Sequence, residues 1–184
     1  MFIQTEQTPN PATLKFLPGR EVMGDGVAEF TDAAEADRLS PLAARLFRVE
    51  GVTGVYLGRD FVSVTKAPGQ EWYELKPAVL GAIMEHYLSG DPVAFEGAKL
   101  SQTATADDDP TVRQIKELIE TRVRPAVAQD GGDIVFHGFD RGVVYLHLRG
   151  ACSGCPSSIV TLKNGIENLL KYYVPEVVEV RAIS

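Results

Sequence analysis

Two of the 184 residues are cysteines, Cys152 and Cys155, three positions apart in GACSGCPSS (150–158). A thiolate is both a nucleophile and a metal ligand. The pair is therefore suited to thiol–disulfide exchange or to forming half of a zinc or iron site. Pro156 fits the first turn of a helix, and Ser157 or Ser158 supplies capping oxygens, which puts the pair where a helix begins. Backbone N–H groups and the positive end of the helix dipole favour thiolates there. Gly150 and Gly154 let the backbone come close to sulfur. On this reading both sulfurs are exposed thiolates, and the spacing alone does not choose between the chemistries.

Counting ligands adds a constraint. A structural zinc or an iron–sulfur cluster takes four ligands, mostly or wholly cysteine, and one chain offers two. Histidines, a partner protein or a second copy are the sources of the missing pair. His147 alternates with Tyr145 and Arg149 on one face of a strand, opposite Val144, Leu146 and Leu148, so it reads as a half-exposed strand residue. His86 and His137 show no metal-ligand spacing. Two copies about a two-fold axis bring four thiolates to one point, the most economical arrangement. Other enzyme classes lack support: no Ser/His/Asp arrangement, phosphate loop or paired catalytic carboxylates stand out.

The elements that position the pair follow from periodicity. Val112, Ile115, Leu118, Ile119, Val123 and Val127 recur at helical steps after Pro110, with Pro125 expected to kink or end that helix. DIVFHGF, the turn Asp140-Arg141-Gly142 and VVYLHLRG read as a hairpin leading into the cysteine loop. Ile159, Leu162, Ile166, Leu169, Leu170 and Tyr173 mark a second amphipathic helix, and VVEVRAI a last strand. The order is α-β-β-α-β. Upstream, IQTEQTPNPATLKFL reads as extended segments broken by Pro9 and Pro11, Ser40-Pro41 opens a helix, and VTGVYLGRDFVSVTK forms a hairpin about Gly58-Arg59-Asp60. EWYELKPAVLGAIMEHYL is a helix with Trp72, Leu75, Val79, Ile83 and Tyr87 on its apolar face.

The fold class is thus α+β: two small α/β-layer domains, 1–90 and 111–184, joined by an acidic flexible linker over 91–110 that ends in Asp107, Asp108, Asp109 and Pro110. The start of that linker, Val93 to Phe95, is apolar enough to pack back on the first domain. The net charge of -7 divides as -4 in residues 1–90, -4 in 91–110 and +1 in 111–184, with no basic stripe for nucleic acid. No stretch reaches the roughly 18 uninterrupted apolar residues of a membrane span. The first residues carry neither a secretory signal pattern nor an Arg-rich transit pattern, so the expected compartment is the cytoplasm, with the mitochondrial matrix open to a processed form.

RVRPAVAQDGGDI (122–134) with VYLHLRGACSGCPSSIVTLKNGIENLL (144–170) resembles the C-terminal domain of NifU. QTPNPATLKFLPG (7–19) and WYELKPAVLGAIMEHY (72–87) resemble the N-terminal domain of Nfu proteins, so the likeness to the NifU-like (Nfu) iron–sulfur scaffold and carrier family covers nearly the whole chain. The resemblance implies that Cys152 and Cys155 ligate a [4Fe-4S] cluster bridging two chains, with a [2Fe-2S] form left open. It further implies a homodimer when cluster-bound, an upstream cluster scaffold as donor, apo iron–sulfur proteins as clients, and no enzymatic activity. Two alternatives use the same cysteines: a thiol–disulfide oxidoreductase and a zinc-bridged structural dimer. Plainer readings stand beside the functional ones: a turn for Asp130-Gly131-Gly132-Asp133, solvated surface for Arg149 and Lys163, a rigid turn between edge strands for Pro9-Asn10-Pro11, and core for Trp72.

Overall fold

The computed structural model describes residues 1–99, 109–153 and 156–183, with Pro156, Ser157 and Ser158 described as backbone only. The chain divides into two compact units, Met1–Ser101 and Gln102–Ser184. The mixed α+β character expected from periodicity is present in both.

The first unit is built on a five-stranded antiparallel sheet of order β1-β2-β5-β4-β3. Its strands are β1 (Gln4–Gln7), β2 (Thr13–Leu17), β3 (Ala28–Phe30), β4 (Val52–Leu57) and β5 (Val62–Lys66). Helices α1 (Ala33–Leu39), α2 (Pro41–Phe47) and α3 (Trp72–Ser89) complete it. Ser40 ends α1 and caps α2: its Oγ accepts from Ala43 N at 3.0 Å, and Pro41 occupies the first helical position. The Pro9-Asn10-Pro11 turn is closed by the Asn10 side chain, which accepts from Ala12 N at 3.0 Å. It joins the edge strand β1 to an interior strand, β2, rather than two edges. Trp72 is half-buried, edge-on to Phe16 and donating to the Pro11 carbonyl at 3.0 Å. Residues 93–98 belong to this unit: Ser40 Oγ donates to Val93 O at 2.6 Å, Phe95 N to Leu39 O at 2.8 Å, and Ala98 is buried. The acidic tract at 107–108 lies outside the described residues.

One core position of α3 is polar. His86 joins Leu75, Val79 and Ile83 as a buried residue of that face, with Trp72 and Tyr87 partly buried against the same core as expected. It is fully buried, its Nδ1 and Nε2 have no hydrogen-bond partner among the described residues, and the Tyr87 ring stands edge-on at 5.4 Å. Burial, and then the Arg45 guanidinium, hold the imidazole below its ordinary value of 6.5, with Asp91 pulling weakly the other way. Below that value the unfolded chain takes up a proton that the folded one refuses, so stability falls as pH drops until the buried ring itself titrates. Trp72, the sole tryptophan, reports on this unit alone. Urea unfolding followed by its fluorescence is expected to show a lower midpoint at pH 5 than at pH 8. His86→Phe is expected to flatten that difference; an equal slope in the variant contradicts the assignment.

The second unit contains α4 (Pro110–Leu118), α5 (Arg124–Gln129), β6 (Gly132–Asp140), β7 (Val143–Gly150), α6 (Pro156–Tyr173) and β8 (Glu179–Ile183). Asp109 caps α4, accepting from Thr111 N at 3.0 Å. Pro125 does not end the helix, which continues to Gln129. A π-helical turn, Ile119–Val123, joins α4 to α5, with Arg124 N donating five residues back to Ile119 O. The wider turn accommodates a residue that has no N–H and whose ring crowds the preceding turn. The sheet has order β6-β7-β8, with β7 antiparallel to β6 and parallel to β8. Ile115, Ile119, Val123, Ile134, Val144, Leu146, Ile166, Leu170 and Val180 form its core. His137 is the extra residue of a bulge between the Phe136 and Gly138 pairings, which lets both Phe136 and Phe139 pack on that core.

Candidate metal centre

The cysteine turn follows from how β6 and β7 end. Their ladder closes on a glycine pair, Gly132 opposite Gly150. Gly150 has φ 60°, a left-handed conformation suited to a residue without Cβ, and it bends the chain out of the strand. Ala151 N then donates to Gly131 O at 3.2 Å, Cys152 N to Arg149 O at 3.3 Å, and Ser153 N to Gly150 O at 3.1 Å. This turn lies between the carboxyl end of β7 and the start of α6, as the sequence predicts.

Cys152 is not the exposed thiolate that the glycines and helix start suggest. It is 8% exposed and packs with the core of the unit. Burial foremost, then the Asp133 and Asp130 carboxylates, push its thiol up to about 12, and the Asp133 backbone N–H opposes this only in part. Cys155 lies outside the described residues, so its relation to Cys152 stays a reading from sequence.

The motif Asp130-Gly131-Gly132-Asp133 is more than a turn. A Cβ at Gly132 would lie 3.0 Å from Cys152 N, 3.2 Å from Cys152 Cβ and closer still to Sγ, so the sulfur occupies the space that a side chain would need. Asp133 is buried and clasped by Arg124, with Nε to Oδ1 at 2.7 Å and Nη2 to Oδ2 at 3.0 Å. Oδ1 also accepts from Ile134 N at 2.9 Å, and Arg124 Nη1 donates to Glu120 at 2.8 Å. This two-pronged pair anchors the start of β6 beside the cysteine. Residue types gave no sign of it, because the partners lie nine positions apart across a helix end. Elsewhere, Lys163 Nζ lies 3.8 Å from Glu179, and His147 is half-buried on the sheet face opposite the core. Among the described residues no three of His, Cys, Asp and Glu converge on a point that could hold a metal ion, and no helix is long and apolar enough to cross a membrane.

Comparison with known proteins agrees with this architecture at both ends. Residues 3–90 match the family model for the scaffold protein Nfu/NifU N-terminal domain, and residues 115–181 match that of the NifU-like domain. The chain belongs to the NifU-like (Nfu) family. The proteins of Drosophila erecta and Drosophila ananassae named "NFU1 iron-sulfur cluster scaffold homolog, mitochondrial" are 53% and 51% identical to it. Those matches cover all of this chain and 65% and 64% of those proteins, so this Nfu chain spans a little under two thirds of its relatives' length. A NifU-like protein of Saccharomyces cerevisiae, solved by NMR, is 26% identical with a TM-score of 0.42, over 52% of this chain and 86% of that one.

Two outcomes test the geometry. Arg124→Ala leaves the Asp133 carboxylate buried without its partner and is expected to destabilise the second unit by about 3–5 kcal/mol in chemical denaturation, far more than a surface ion pair would. In a metal-free Cys155→Ser chain, Cys152 is the only thiol, and at pH 8 its iodoacetamide reaction is expected to run about a thousandfold below that of an unburied thiol. A rate near the unburied value overturns the buried assignment.

Proposed function

We propose that this Nfu chain is an iron–sulfur cluster carrier whose cargo, a [4Fe-4S] cluster, is held between two copies by Cys152 and Cys155 of each and handed to apo-proteins. The observation that carries this is the ligand supply: a NifU-like domain whose only sulfur ligands are the two cysteines of one turn. A cubane with four cysteine ligands needs two such turns. The names of the relatives, iron–sulfur cluster scaffold homologs, support the cargo class.

Transfer follows from the shared ligation. Each copy holds half the thiolates, so client cysteines displace them one at a time, as a thiolate displaces sulfur in disulfide exchange. The chain acts by binding and release, without catalytic turnover. Residues 111–184 hold the cargo, residues 1–90 serve client or partner docking, and an upstream scaffold supplies the cluster. A [2Fe-2S] cargo is the smaller alternative. The cytoplasm is the compartment we propose; the mitochondrial location in the relatives' names favours the matrix as the second reading.

Anaerobic reconstitution is expected to load about four irons and four sulfides per two chains. Cys155→Ala is expected to abolish loading, and removing the cluster to weaken the dimer. A loaded Cys155→Ala chain, or zinc in place of iron and sulfide, overturns the proposal.

A further inference from the structure

A ligand to a cargo shared between two chains must present its sulfur outside its own fold. In the structure the Cys152 sulfur does the opposite. It folds back over Gly132 at the mouth of the β6–β7 ladder, occupies the volume that any side chain at position 132 would claim, and packs with the core of the second unit. Asp133, the next residue, is held by Arg124 through Nε to Oδ1 at 2.7 Å. The sulfur is thus seated in a site built for it, and β6 opens with a glycine at the one point where the seat requires it.

We propose that Gly132 is a stowage seat for Cys152: the metal-free chain keeps this sulfur folded against Gly132, and cargo capture draws it out by rearrangement of the turn 150–153. The inference rests on reading Cys152 as a ligand of the cargo. Leaving the seat, the thiol gives its proton to solvent as it binds the metal, and no electrons move. Only the deployed form binds cargo, so apparent affinity is reduced by the deployed fraction. The same equilibrium assists delivery, since a sulfur displaced by a client cysteine returns to its seat and stops competing for the cluster. Gly132 is therefore a positioning residue that sets how firmly cargo is held.

The test uses the full-length, metal-free chain carrying Cys155→Ser, with iodoacetamide as the probe at pH 8. Gly132→Ala evicts the sulfur, and the Cys152 alkylation rate is expected to rise by at least about tenfold, since a minor state populated at 0.1–10% becomes dominant. Equal rates in a chain that keeps its circular dichroism overturn the proposal. Should Gly132→Ala fail to fold, Cys152→Ala decides. A stowed sulfur is a packed core group, and its removal lowers the melting temperature of the second unit by roughly 4 °C or more. An unchanged melting temperature overturns stowage. Neither arm needs a cluster: failure to load iron and sulfide removes the carrier reading, whereas failure here removes only the seat.

Discussion

The close approach of Gly132 to Cys152 is the constraint on which the second unit's site depends. Two strands can end side by side and feed a tight turn only if their last pair leaves room for the returning chain, and here that pair is Gly132 and Gly150. The room left by Gly132 is filled by sulfur. The turn 150–153 is short because β7 must pass directly into α6, whose apolar face covers the sheet and brings β8 back parallel to β7. Sheet, helix and cysteine are therefore placed by one packing decision. A methyl group at position 132 would meet Cys152 at close range.

Electrostatics act on the same spot. Asp133 and Asp130 lie near the sulfur and oppose its ionisation, while Arg124 neutralises the buried Asp133 with two hydrogen bonds. A buried ion pair adds little net stability over an apolar substitute, but losing one partner is costly, so the pair fixes geometry more than it adds energy. On the proposed reading, loading at this turn would release the Cys152 proton.

Much of this was legible in the residues. Helical periodicity found α4, α6 and most of α3, and the two turn motifs located both hairpins. Ser40-Pro41 marked a helix start that the structure caps as expected. The errors have physical causes. Pro125 was expected to kink or end the helix; the helix instead runs on to Gln129, with a π turn directly before the proline. Short β3 and α1 carry too few residues for periodicity to stand out. His86 showed no metal-ligand spacing in the sequence, and only packing shows it in the core. The glycines and helix start argued correctly for a cysteine turn and wrongly for an exposed thiolate, because burial depends on what lies across the ladder and GACSGCPSS contains no trace of Gly132.

On the proposed function, one cluster is shared by two copies of this chain. Native mass spectrometry of the anaerobically loaded protein tests it most directly. The expected species is two chains plus a single four-iron, four-sulfide increment, which separates into bare single chains when the cluster is chelated. A single chain that retains the whole increment, or a loaded dimer that keeps its mass after both Cys152 and Cys155 are replaced by alanine in one copy, would contradict it.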